Sequence, residues 1–150
     1  MSNSWGRIIW IFFHTIAEKV DAEFFEENTE ACLNIITSIC QNLPCPICTM
    51  HAQLFLRRYN IKHIKTKEDF KKFLYIFHNH TNAITKKKRP TIEILDIYKR
   101  AIFDKVAIAF IKTYNNKSPL TRSYADKMHR RNLAKDIANF IKNNYRFFNN

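Results

Sequence analysis

The chain has 150 residues, enough for one domain with a buried core, and 46% of them are hydrophobic, as an ordinary globular protein requires. It contains a single glycine, Gly6, and four prolines, so neither a Rossmann turn nor a P-loop can be built, and a nucleotide would have to be held by side chains on helices. The shortage of turn residues favours an all-α fold over a sheet. The net charge of +12 suits acidic partners, nucleic acid or an anionic surface, although a merely solvated lysine-rich surface reads the same way. No apolar run approaches the ~20 residues that span a bilayer. The run Ile8–Phe13 is short, aromatic and ends at His14, with no small-residue cleavage site, so no signal peptide is expected and the chain should begin in the cytosol.

Ser4 is a plausible cap for a first helix reaching Lys19, with Arg7, Trp10, His14 and Ala17 on one face. On that helix Trp10 reads equally well as core and His14 as a satisfied boundary histidine. Asp21–Asn28 reads as an acidic connector. Asn28 or Thr29 then caps a second helix to about Asn42, with Leu33, Ile36, Ile39, Cys40 and Leu43 on its apolar side. Cys32 and Cys40 are separated by roughly 12 Å of helical rise, beyond disulfide reach, and read as small buried hydrophobes.

Leu43-Pro44 ends that helix, and Pro46 opens a third, to about Tyr59. Cys45 and Cys48, spaced C-x-x-C, therefore stand at a helix N-terminus, where the macrodipole favours a thiolate. His51 lies one turn beyond Cys48 on the same face. Such a pair either closes a redox disulfide or gives two thiolates to a metal.

Thr66, followed by Glu68 and Asp69, predicts the cap of a fourth helix through Phe70, Phe73, Leu74, Phe77 and His78 to about Thr85. His78 and Asn82 are four apart and share a face. Lys86-Lys87-Lys88-Arg89-Pro90 breaks it, as a solvated helix end or as a phosphate site. A fifth helix is predicted over Thr91–Tyr114, with Ile94, Ile97, Tyr98, Ala101, Ile102 and Val106 inward. Asn115–Pro119 reads as a polar linker. A basic last helix follows over about Thr121–Tyr145, with a thinner stripe of Met128, Leu133, Ile137, Phe140 and Ile141.

These residues together resemble the FAD-linked sulfhydryl oxidases of the Erv/ALR type, most like the short forms of large DNA viruses such as poxviruses and African swine fever virus. Gly6-Arg7-Ile8-Ile9-Trp10-Ile11-Phe12-Phe13-His14-Thr15-Ile16-Ala17 is similar to the family's G-R-x-x-W-x-x-L-H-x-x-A helix. Leu43-Pro44-Cys45-Pro46-Ile47-Cys48-Thr49-Met50-His51-Ala52 matches L-P-C-x-x-C-x-x-H-A. Phe77-His78-Asn79-His80-Thr81-Asn82 resembles F-H-N-x-V-N, and Lys86-Lys87 stands where the family has a lysine. Thr81 and Thr85 replace a family valine and leucine, and Lys19-Val20 an aromatic pair and proline. No distal shuttle C-x-x-C is present.

The resemblance implies a four- to five-helix bundle over residues 3–114 that grips FAD, with residues 115–150 as a basic helical extension. It implies that Cys48 is the flavin-proximal cysteine and that Cys45 exchanges with the substrate thiol. Arg7, Trp10, His14 and His51 would lie at the flavin, His78, Asn79 and Asn82 at the adenine and ribose, and Lys86 or Lys87 at the diphosphate, with no metal. The implied substrate is a thioredoxin-like or small cysteine-bearing protein, the acceptor dioxygen, the assembly a homodimer and the setting host cytoplasm or virion; nucleic acid is not an expected partner. The competing reading is a zinc module of Cys45, Cys48 and His51 with His78 or His80, whose basic surface binds nucleic acid.

Overall fold

A computed structural model describes residues 4–115 and 124–150. It folds into α1 (Ser4–Lys19), α2 (Ala22–Glu27), α3 (Thr29–Cys40), α4 (Pro46–Arg58), α5 (Lys67–Ile84), a 3-10 segment (Ile92–Arg100), α6 (Phe103–Asn115) and α7 (Tyr124–Asn143). Among the described residues there is no strand, only one bridge between Val20 and Phe148. No helix among them is long and apolar enough to cross a membrane. The all-α expectation holds.

The bundle is built on α1. Ile9, Phe12, Phe13, Ile16, Ala17 and Val20 recur at three- and four-residue steps and are all buried. That wide stripe packs against α5, α6 and the 3-10 segment. Phe12 stacks on Phe110 at 4.0 Å between centroids, and Phe25 on Phe70 at 4.7 Å. α5 starts at the predicted Thr66: its hydroxyl accepts from the Asp69 N–H at 3.1 Å, and the Asp69 carboxylate accepts from the Thr66 N–H at 3.0 Å.

Two expected elements are corrected. Asp21–Asn28 is not a connector but α2, capped by the Asp21 side chain, which accepts from the Phe24 N–H at 2.9 Å. Phe24 and Phe25 enter the core, so two buried aromatics fix a helix too short to show a periodicity. The continuous fifth helix over Thr91–Tyr114 is also absent: a 3-10 segment ends at Ala101, whose backbone is extended, and α6 begins at Phe103. The break has tertiary causes. The buried Lys19 ammonium donates to the Lys99 carbonyl at 2.9 Å, and the Tyr98 ring lies on His14. Ile94, Ile97 and Ile102, expected inward, are exposed, and the buried face is Phe103, Ala107, Phe110 and Tyr114.

α7 lies against α6 and α3 and sends Ala134 and Ile137 into the same core, while Met128, expected on its stripe, is exposed. The chain end is fastened to α1: the Asn149 N–H donates to the Lys19 carbonyl at 2.8 Å, and the Asp21 N–H to the Phe147 carbonyl at 2.7 Å. Phe148 stacks on Phe103 at 4.6 Å. The expected linker lies outside the described residues except for Asn115, the last residue of α6, as do Thr121–Ser123 of the last helix.

Candidate redox and cofactor site

The break at Pro44 and the start at Pro46 leave Cys45 extended as the N-cap of α4, with Pro46 in the first turn. Cys45 and Cys48 are joined as a disulfide with Cα atoms 5.2 Å apart. The Cys48 N–H donates to the Cys45 sulfur at 3.4 Å. When the bond is reduced, thiolate character at Cys45 is favoured by that N–H and by the positive end of the α4 dipole. The turn before it is tied to α6, because the Tyr114 hydroxyl donates to the Asn42 carbonyl at 2.9 Å. Cys32 and Cys40 are different in kind: both are free on α3, and burial pushes both thiols up to about 12. They are buried small side chains, as the sequence suggests, and the disulfide is the one between Cys45 and Cys48.

A cluster of rings spans α1, α5 and the 3-10 segment. Trp10 and His78 stack at 4.2 Å with planes 3° apart, and His14 lies on Tyr98 at 4.8 Å. His14 Nε2 and His78 Nδ1 share a hydrogen bond of 2.9 Å. Burial, aided by His78, lowers the His14 pKa to about 3; burial, aided by Lys87, lowers that of His78 to about 4. At neutral pH the cluster is therefore an uncharged, flat-sided surface. It continues into α4 through Phe77, which meets Trp10 edge-on at 5.1 Å and stacks on Phe55 at 4.4 Å. Phe55 lies two turns beyond Cys48 on the same face of α4.

The C-terminal end of α5 supplies the polar side. Asn82 is buried and its side-chain amide donates to Oδ1 of Asn79 at 3.3 Å, and the Asn79 side-chain amide donates to the Pro90 carbonyl at 3.0 Å. Lys86 takes a left-handed backbone (φ 57), which lets the Lys87 N–H close onto the Asn82 carbonyl at 2.8 Å. Both lysine side chains are exposed beside these amides.

The structure thus brings together Trp10, His14, His78, Asn79 and Asn82, with Lys86 and Lys87 at their edge. Arg7 is exposed on α1 one turn before Trp10, and His51 is half-buried on α4; among the described residues neither makes a ring contact with the cluster. Sequence reasoning placed Tyr98 in a helix core and missed its contact with His14, and missed Tyr114 as the tether of the Cys45 turn. Neither carries a local signal, since both contacts are long-range. The zinc reading finds no ligand set: Cys45 and Cys48 are bonded to each other, and no three His, Cys, Asp or Glu side chains among the described residues are grouped to hold a metal. Clefts of about 270 and 710 Å3 lie on α6 and α7, and neither is lined by the disulfide or the ring cluster.

The model of the Erv1 / Alr family matches residues 7–101. The probable FAD-linked sulfhydryl oxidase OPG072 of vaccinia virus (strain Western Reserve) is 24% identical over 93 residues, covering 62% of this chain and 92% of the viral protein. The monkeypox virus protein of the same description is 27% identical over 73 residues, covering 49% and 70%. That of variola virus (isolate Human/India/Ind3/1967) is 26% identical over 90 residues, covering 60% and 88%. No solved structure matches.

Proposed function

The chain belongs to the Erv1 / Alr family, and on that footing we propose that it is an FAD-linked thiol oxidase that makes disulfides in partner proteins through Cys45 and Cys48. The observation that carries the reading is the Cys45–Cys48 disulfide at the N-terminus of α4, in a chain matched by the family model across α1–α5. The residues fit FAD. Trp10, His14, His78 and Tyr98 form an uncharged aromatic wall suited to a planar ring system. Asn79 and Asn82 offer amides for an adenine and ribose, and Lys86 and Lys87 offer cations for a diphosphate. That assignment explains how a chain with one glycine holds a dinucleotide.

A substrate thiolate attacks the Cys45 sulfur, the Cys45–Cys48 bond breaks, and Cys48 leaves as a thiolate. The helix N-terminus stabilises that leaving group. The second substrate thiol attacks the mixed disulfide, forms the substrate disulfide and releases Cys45, so the protein is left as the dithiol and the substrate has lost two electrons and two protons. Bound FAD supplies the oxidation that restores the Cys45–Cys48 disulfide, with dioxygen as the final acceptor and hydrogen peroxide as the product. With no second C-x-x-C and both other cysteines buried, the electrons enter from a separate molecule, a thioredoxin-like or small cysteine-bearing protein. The activity is assigned to the part of the chain before α7, acting as a homodimer, with α7 and the residues after it packed onto that part.

Cys48→Ser tests the scheme. It should abolish dithiol oxidation and accumulate a mixed disulfide through Cys45. A Cys48→Ser protein that oxidises dithiothreitol at the wild-type rate would overturn it.

A further inference from the structure

The disulfide end of α4 borders an apolar strip that no described residue of this chain covers. Ile47, Met50 and Leu54 are 59%, 50% and 42% exposed, although large aliphatic side chains are usually buried. Their spacing of three and four residues puts them on one face of the helix, beside the inner face that carries Cys48, Ala52 and Phe55. The strip begins between the two cysteines and ends at Arg57 and Arg58, both exposed, and α4 contains no acidic residue.

The reaction itself says what must lie here. A thiol that attacks Cys45 brings its own flanking residues against α4, and the chain has no accessible cysteine outside the pair to serve as an internal donor. We infer that Ile47, Met50 and Leu54, with Arg57 and Arg58, form the docking strip for the thiol-bearing partner. The partner segment has apolar residues beside its cysteine and carboxylates farther along. Ten residues of helix separate Ile47 from Arg57, about 15 Å, which an extended segment covers in about five residues. The carboxylates therefore lie about five residues from the attacking cysteine. Apolar contact sets the affinity, and the arginines set which way the segment runs. This inference rests on the thiol-oxidase reading.

The test uses the full-length, FAD-loaded protein, its M50S/L54S and R57E/R58E variants, and three reductants. These are dithiothreitol and two synthetic C-x-x-C dithiol peptides, one with leucines beside the cysteines and glutamates five residues on, the other with serines and lysines in those places. The wild type should prefer the leucine–glutamate peptide by about tenfold in kcat/KM, the scale expected from half-covering two apolar side chains. M50S/L54S should lose most of that preference, keeping only the part that Arg57 and Arg58 supply, while turning over dithiothreitol within about twofold of wild type, because a small dithiol never reaches the strip. R57E/R58E should lose the charge part of the preference, also without slowing dithiothreitol. Equal slowing of dithiothreitol and both peptides by M50S/L54S would overturn the inference, as would an unchanged preference. A dimer that dissociates in M50S/L54S with its peptide preference intact would also overturn it and assign the strip to contact between copies. No dithiothreitol turnover by wild type would instead remove the oxidase reading, and this inference with it.

Discussion

Mild acid should destabilise this protein through two histidines. His14 and His78 are held neutral in the folded chain, at about 3 and about 4 against an ordinary 6.5. Their shared hydrogen bond of 2.9 Å needs a lone pair on one ring nitrogen, and protonating both rings sets N–H against N–H. The unfolded chain therefore binds more protons than the folded one between 6.5 and those depressed values. Stability present above pH 6.5 is lost as the pH falls towards them. From pH 7 to pH 5 this comes to about 2 kcal/mol for His14 and less for the half-buried His78, roughly 3 kcal/mol together. At an m-value of about 2 kcal/mol/M, the urea midpoint should fall by about 1.5 M. Urea unfolding by far-UV circular dichroism at pH 7, 6 and 5, at one fixed FAD concentration, reads this directly. The H14Q/H78Q variant should lose most of the pH dependence, whatever its stability at pH 7. A wild-type midpoint that does not move between pH 7 and 5, or a double variant with the same slope, would show that His14 and His78 do not set the acid sensitivity.

Phe148→Ala removes a buried ring stacked on Phe103 and should cost roughly 3–5 kcal/mol in denaturant unfolding, although it lies at the chain end. A loss under about 1 kcal/mol would mean the chain end does not pack on α1 and α6 in solution. Iodoacetamide at pH 8 should label no cysteine in the native, unreduced protein and two in denaturant, Cys32 and Cys40, read by mass spectrometry. Rapid native labelling of either would show that α3 opens.

The parts of the fold that were legible in the sequence are those set by local chemistry. The Thr66 cap of α5 and the Pro44 and Pro46 punctuation around Cys45 each act within a few residues, and each appears where the sequence places it; on α1 the helix appears as expected, but its buried stripe of Ile9, Phe12, Phe13 and Ile16 is not the face of Arg7, Trp10, His14 and Ala17 that the sequence reading picked out. The grouping of the candidate side chains on α1 and α5 has a related cause: Trp10 and His14, and His78 and Asn82, sit four residues apart, so a helix alone brings each pair to one face. What failed was decided across the chain. Lys19 reaches the Lys99 carbonyl, and Tyr98 finds His14, so a segment that reads as helix is wound as 3-10 with Ile94 and Ile97 outward. Asp21–Asn28 reads as polar, yet Phe24 and Phe25 draw it into the core. Thr81 and Thr85, where the family pattern has apolar residues, instead sit at the C-terminal end of α5, where the Thr85 hydroxyl donates to the Thr81 carbonyl at 2.9 Å.

The visible spectrum of the purified protein, recorded before and after denaturation, decides whether this chain is a flavoprotein. A protein-bound flavin spectrum should change to that of free FAD on unfolding, with about one FAD per chain. A colourless protein that takes up no added FAD, and that holds Cys45 and Cys48 as zinc ligands, would contradict the FAD assignment.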